Sequence, residues 1–139
     1  MKISSETADF KRIAKELIKR TERVLKNAYA PYSNISVGAA VYCANGHIYT
    51  GCNVENSSYS LTMCAERVAL FKAISEGERD FLVLLIHSSG VESILPCGAC
   101  LQAYSEFAPE IVIATMNAKK EFHFFPIKVL LAKPFRLGG

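Results

Sequence analysis

Three of the five cysteines and one glutamate stand where two helices are expected to begin. Cys64 and Glu66 lie in TMCAERVAL, at the start of a helix predicted over residues 63–76. Cys97 and Cys100 form the C-x-x-C of PCGAC, at the start of a helix predicted over residues 97–107. Helix N-termini stabilise anions and lower the pKa of thiols. Three thiolates on zinc leave its fourth position open, as in catalytic sites, so we expect Cys64, Cys97 and Cys100 to bind a reactive zinc ion.

Glu66 is the residue expected to handle protons at this site. It lies two residues beyond Cys64, on a different side of the helix, because neighbours on one face are three or four residues apart. A carboxylate placed in this way lies near the metal without binding it. Since zinc lowers the pKa of a bound water to about 7, Glu66 is predicted to take a proton and deliver it to a substrate.

Other interpretations of the cysteines stay open. An odd number of cysteines argues against a disulfide framework, but C-x-x-C alone could be a redox pair, which would leave Cys64 and Glu66 without a role. A structural four-cysteine site would need Cys43 or Cys52, which read more simply as small core residues of a hairpin. A non-catalytic, zinc-stabilised binding protein is a further alternative, although such a site has no use for Glu66.

The hydrophobic pattern places these residues on a mixed α/β framework. A first helix is predicted over residues 5–29, from apolar residues spaced three and four apart, and a short last helix over 127–131. Strands are predicted over 35–43, 47–54, 81–87, 110–116 and 121–125, the first with alternating burial and the third buried on both faces. This order favours one domain over residues 1–139, a three-layer α-β-α sandwich with a sheet of about five strands.

Composition narrows the classes of function. The chain has 139 residues, of which 21% are charged, and a net charge of +3. We interpret the basic residues of the first helix as a solvated face and expect no polynucleotide partner. No apolar run approaches the roughly 20 residues of a membrane helix, and the start has no apolar signal core, so we expect a cytoplasmic protein without membrane partners.

The combined motifs resemble one enzyme family. C-A-E with P-C-x-x-C is the signature of zinc deaminases, and YSNISVGAAVY, GCNVENSSYSLTMCAERVAL and PCGACLQ resemble cytidine deaminase, the small homotetrameric type that acts on nucleosides. The resemblance implies one Zn²⁺ per chain on Cys64, Cys97 and Cys100. It also implies hydrolytic deamination of cytidine or 2′-deoxycytidine by a zinc-activated water in pyrimidine salvage, with Glu66 as the proton shuttle.

The resemblance also implies substrate contacts. Asn53 and Glu55 match a ribose-binding pair, and residues two apart at a strand end point to the same side. The Ala65 N–H is expected to donate to the pyrimidine O2. Ile35 and Phe135 are expected near the substrate, and Arg67 and Gln102 around the zinc ligands.

Aromatic residues of the family near its subunit contacts, where active sites form between chains, correspond here to Tyr32, Tyr59 and Phe135. The chain departs from the family at Ile35, where many relatives have an aromatic, and at Leu101, where relatives usually have arginine. Alternative substrates are a modified cytosine nucleoside such as blasticidin S or, less favoured, a polynucleotide. His87 reads as a hydrogen-bonded core histidine.

Overall fold

A five-stranded mixed sheet forms the centre of the molecule. A computed structural model of the chain describes residues 8–90 and 92–138. The strands are β1 (Val37–Cys43), β2 (Ile48–Cys52), β3 (Phe81–Ser88), β4 (Val112–Met116) and β5 (Phe122–Pro126), in the order β2-β1-β3-β4-β5. The β3–β4 pair is parallel and the other three pairs are antiparallel.

Helices cover both faces of this sheet, which confirms the predicted three-layer α-β-α arrangement. They are α1 (Ala8–Leu25), α2 (Ala65–Ser75), α3 (Gly98–Phe107) and α4 (Ile127–Leu130), with a short 3-10 helix at Tyr59–Leu61 that was not predicted. Helix α1 packs on one face through Phe10, Ile13 and Leu17. Helices α2, α3 and α4 pack on the other face.

The predicted burial of two strands can now be compared with the structure. Strand β3 contributes to the cores on both faces, as predicted. Strand β1 was predicted to alternate, but all seven of its residues are buried. Alternation predicts one solvated face, whereas here Val41 packs towards α2 and α3, and Ala40 packs towards α1.

Several predicted boundaries shift by a few residues. Residues 5–7 of the first predicted helix lie outside the described residues. That helix ends at Leu25 rather than at 29, because Tyr29 leaves it to exchange backbone hydrogen bonds with Asn53 and Glu55. The strand predicted from residue 35 begins at Val37, whose N–H donates to the Asn53 side chain.

A glycine lets α2 lie directly on the sheet. A Cβ at Gly51 of β2 would lie 2.5 Å from the Ala65 carbonyl oxygen and 2.6 Å from the Ala69 nitrogen. Because both neighbours are helix backbone, only glycine permits this approach. The contact fixes the first turn of α2, and with it Cys64 and Glu66, against the end of β2.

Candidate metal and catalytic site

The first turns of α2 and α3 bring the three predicted cysteines together. Cys64 is the N-cap of α2 and Cys97 is the N-cap of α3, while Cys100 lies in the first turn of α3 and is buried. Their sulfur atoms all lie within 4.8 Å of one another. They are free thiols, and among the described residues they form the one cluster of this kind.

This donor set fits zinc. A tetrahedral ion with Zn–S bonds of about 2.3 Å requires sulfur atoms about 3.8 Å apart. The Cys64 and Cys97 sulfur atoms are 3.7 Å apart. Cys43 and Cys52 lie in β1 and β2, outside the cluster. The three thiols that the sequence singled out can therefore hold zinc and leave a coordination position open.

Hydrogen bonds within the cluster favour a thiolate at Cys64. The Cys100 thiol and Arg67 both donate to its sulfur and hold the pKa of Cys64 well below its usual range. Arg67 Nη2 lies 3.6 Å from that sulfur. The pKa of the buried Cys100 is raised, since it supplies the shared proton to Cys64. The thiolate is the form that binds zinc.

Glu66 is buried beside the cysteines. It is 4% exposed, and burial, with the nearby Cys64 charge, raises the pKa of its carboxyl to about 7. Glu66 lines a cleft of about 170 Å³, together with Val37, Asn53, Cys64, Ala65, Leu95 and Cys97. A carboxyl that ionises near neutral pH can both accept and donate a proton, which suits general acid–base chemistry.

Comparison with known proteins agrees with this geometry. The family model of the cytidine and deoxycytidylate deaminase zinc-binding region matches residues 11–116. The chain belongs to this family. Membership of this family confirms the prediction that the chain is a zinc-dependent hydrolytic deaminase. The cluster of Cys64, Cys97 and Cys100 supplies a site that could hold the zinc ion.

Individual relatives give the same result. The chain is 48% identical over 92 residues to a cytidine deaminase of Sporosarcina psychrophila, covering 66% of this chain and 68% of the relative. A crystal structure of cytidine deaminase from Burkholderia pseudomallei superimposes with a TM-score of 0.82 at 38% identity, covering 87% of this chain and 98% of the other. A blasticidin-S deaminase of Bacillus cereus is more distant, at 33% identity over 92 residues, 60% of this chain and 66% of that protein.

The predicted sugar pair of this deaminase lies after β2 rather than within it. Asn53 is buried and lines the cleft of Glu66. Its Oδ1 accepts from the Val37 N–H and its Nδ2 donates to the Ile35 carbonyl, both at 2.8 Å. Asn53 therefore already ties two chain segments together and keeps one donor and one acceptor position for another partner.

Glu55 belongs to a second, outer cleft. This cleft has a volume of about 380 Å³ and is lined by Tyr32, Ser33, Glu55, Tyr59 and Thr62. The Ser33 hydroxyl and the backbone N–H groups of Tyr32 and Ser33 donate to the carboxylate and hold its pKa below the usual range. Thr62 lines both clefts. Asn53 and Glu55 thus lie in adjoining spaces, not in one cavity.

Two hydrogen bonds join the Gln102 side chain to the Phe135 backbone. The Gln102 side chain donates to the Phe135 carbonyl and accepts from its N–H, both at 2.9 Å. Arg136 adds a bond to the Ser105 carbonyl at 2.7 Å. Gln102 therefore fastens the C-terminal segment to α3. The Phe135 side chain is 70% exposed, outside the residues that line the Glu66 cleft.

Two positions where the chain departs from its family have different surroundings. Ile35 is exposed and lies outside the lining of the Glu66 cleft. Leu101 is 6% exposed and packs in the core beneath α2 and α3. Leu101 is thus an apolar core residue.

Arg67, which was expected around the zinc ligands, donates to the Cys64 sulfur. Its Nε is buried with no hydrogen-bond partner within the described part of the chain.

Three further predicted residues lie away from the cysteines. Tyr32 and Tyr59 are exposed and meet edge to face, with ring centroids 5.7 Å apart. His87 is half-buried, and burial lowers its pKa. The expectation of a hydrogen-bonded core histidine is not met at Nδ1, which is buried and finds no partner among residues 8–90 and 92–138.

Proposed function

We propose that the chain catalyses hydrolytic deamination of cytidine and 2′-deoxycytidine to uridine and 2′-deoxyuridine plus ammonia. The observation that carries this proposal is the placement of Glu66. A buried carboxyl with a pKa near neutrality shares one cleft with two of the three clustered thiols. A purely structural zinc site or a redox cysteine pair gives no reason for such a group.

In this proposal Cys64, Cys97 and Cys100 hold one zinc ion per chain. Bound zinc is a Lewis acid that makes a water molecule nucleophilic at neutral pH. Ionised Glu66 would accept one proton from the attacking water and pass it to N3 of the pyrimidine as the C4–O bond forms. It would then accept the second proton, from the hydroxyl now bonded to C4, and pass it to the amino group, which leaves as ammonia while C4 becomes a carbonyl. In the metal-free protein, burial already raises the pKa of this carboxyl to about 7.

The first turn of α2 also offers a donor to the base. The Ala65 N–H is among the first amides of a helix, which have no intrahelical acceptor, and Ala65 lines the Glu66 cleft. We assign it to the pyrimidine O2. This cleft is smaller than the roughly 300–1,000 Å³ of ordinary ligand sites, so it suits the base alone.

The sugar is then assigned to the outer cleft, next to Thr62. Glu55 would accept sugar hydroxyls there, and the remaining amide capacity of Asn53 would serve the junction of the two clefts. A 5′-phosphate would meet the ionised Glu55 carboxylate, and none of the described residues lining either cleft is Lys, Arg or His. These charges favour a nucleoside over deoxycytidylate.

The remaining parts of the proposal concern assembly and context. We place residues 1–139 in a single deaminase domain that forms a homotetramer, with Ile35 and Phe135 completing sites between subunits. The support is that both side chains are exposed and lie outside the cleft of their own chain. Tyr32 and Tyr59 would join those contacts. We further propose pyrimidine salvage in the cytoplasm, where nucleosides are recovered.

A substrate panel tests the proposal. The zinc-loaded protein is assayed by ultraviolet absorbance on cytidine, 2′-deoxycytidine, cytosine, deoxycytidylate and blasticidin S. The two nucleosides should be deaminated with the largest kcat/KM. Preference for blasticidin S would favour the antibiotic-deaminase alternative, and preference for deoxycytidylate would contradict the role of Glu55. No deamination of any of them would refute the proposal.

A further inference from the structure

The two helices that supply the thiols are joined by a buried hydrogen bond. The hydroxyl of Tyr104, on α3, donates to the backbone carbonyl of Glu66, on α2, at 2.7 Å. Tyr104 is 1% exposed. A carbonyl oxygen has two lone pairs, so this one can accept the phenol in addition to an intrahelical N–H. The bond links the helices directly, inside the core.

The position of Tyr104 on α3 matches that of Cys100. Residues four apart lie on the same helix face, one turn from each other, so both side chains face α2. The Cys100 sulfur lies within 4.8 Å of the Cys64 sulfur, and one turn further on the Tyr104 hydroxyl bonds the Glu66 carbonyl. Glu66 is two residues beyond Cys64. The phenol therefore fixes the backbone of α2 next to a ligand and at the carboxylate that handles protons.

In the part of the chain that the structure describes, the first turns of α2 and α3 lack the side-chain hydrogen bond that commonly caps a helix N-terminus. A Ser, Thr, Asp or Asn at the N-cap usually accepts a hydrogen bond from the first turn. Here the N-caps are Cys64 and Cys97, and within the described residues neither side chain makes such a bond. The distance between thiols on different helices then depends on what holds α2 against α3.

We propose that Tyr104 is a positioning residue of the metal site, whose hydroxyl sets the spacing of α2 against α3 and so of the Cys64 thiol against Cys97 and Cys100. Burial raises the pKa of Tyr104 well above its usual range, so the phenol stays a donor at any working pH. The inference rests on the zinc site of the proposed function and is independent of the substrate.

The test is Tyr104→Phe, which removes the hydroxyl and keeps the ring. The rate of zinc transfer to a chromogenic chelator is measured for the zinc-loaded protein. A hydrogen bond of ordinary net strength corresponds to about a 2- to 10-fold change, so zinc should leave about 2- to 10-fold faster. The absorption bands of the cobalt(II)-substituted protein should also shift, because they report the geometry of the thiolate ligands.

Two further variants separate the hydroxyl from the ring. Tyr42→Phe is the matched control, since Tyr42 is 8% exposed and packs on the opposite face of the sheet with α1. It should leave both readouts unchanged. Tyr104→Leu should change zinc release and the cobalt bands as Tyr104→Phe does. If only the leucine variant changes them, ring packing is responsible and the inference is wrong.

Other outcomes are equally decisive. Tyr104→Phe with wild-type zinc release and cobalt bands would overturn the inference, even if its melting temperature fell. If that happened while the wild type deaminated cytidine, the proposed function would stand and only the role of Tyr104 would fail. A wild type that holds zinc but deaminates no nucleoside would refute the function and leave this inference intact. A wild type that binds no zinc would overturn both.

Discussion

Replacing Glu66 with glutamine should stabilise the metal-free protein against unfolding, although the same change should remove most of the deaminase activity of the zinc-loaded enzyme. Burial raises the pKa of the Glu66 carboxyl from its ordinary value of 4.5 to about 7. The Glu66 carboxyl therefore ionises more readily in the unfolded chain than in the folded one. Glutamine keeps the shape of the protonated form and never ionises, so Glu66→Gln removes this penalty.

The sign and size of the effect follow from linkage. A carboxyl whose pKa is higher in the folded state than in the unfolded state stabilises the fold fully at pH values below its unfolded-state pKa. This stabilisation is lost as the pH rises through the folded-state pKa. The wild type and Glu66→Gln should therefore be equally stable near pH 4. They should diverge between pH 4.5 and 7 and differ above that range by about 3 kcal/mol, at about 1.4 kcal/mol for each tenfold change in ionisation.

Urea unfolding in the presence of a chelator, from pH 4 to pH 8, measures this difference. Glu76→Gln, at the exposed C-cap of the same helix, serves as the control and should track the wild type. A constant stability difference across the pH range would show that Glu66 does not carry the burial penalty. A variant less stable than wild type at pH 8 would refute the reasoning.

Four other substitutions have defined outcomes. Arg67→Ala removes the guanidinium donor to Cys64 and should weaken zinc affinity or activity about 10- to 100-fold; unchanged chelator competition would exclude that role. Leu101→Arg buries a guanidinium in the apolar core and should lower the free energy of unfolding by more than about 2 kcal/mol; a stable variant with a shifted pH–rate profile would contradict this. Gln102→Ala should speed hydrogen exchange of the Phe135 amide about tenfold; unchanged exchange would show that the segment is held elsewhere. Glu55→Ala should cost cytidine about 1–3 kcal/mol in kcat/KM with zinc content kept, and an unchanged value would make Glu55 a surface carboxylate.

The clustering of the cysteines could be predicted because it depends on local patterns. A C-x-x-C at a helix start, and a second cysteine at another, need only two helices on one face of the sheet to meet. The buried run of β3 and the β–α–β connection through α3 indicate that arrangement. The boundaries near residues 29 and 35 were missed, because the Asn53 and Glu55 bonds that set them come from a distant segment.

The sequence does not predict which side chains bond or pack between separate helices, strands and segments. Nothing in the spacing of Tyr104 along α3 distinguishes a packed ring from a phenol that bonds the Glu66 carbonyl. Gln102 was expected around the zinc ligands, and its spacing gives no sign that its side chain bonds the backbone of Phe135, 33 residues away. Leu101 was noted as a departure from the family, where relatives usually have arginine, and its side chain packs in the core. Such placements are decided by tertiary packing, which periodicity does not encode.

The most direct test of the central claim is ammonia release from cytidine by three preparations: metal-free protein, the same protein titrated with zinc, and zinc-loaded Glu66→Gln. Activity should be absent without metal and reach its maximum at one zinc per chain. The variant should retain its zinc and lose about 10²- to 10⁴-fold in kcat. Full activity in metal-free protein, or a variant within tenfold of wild type, would contradict a zinc site that works through Glu66.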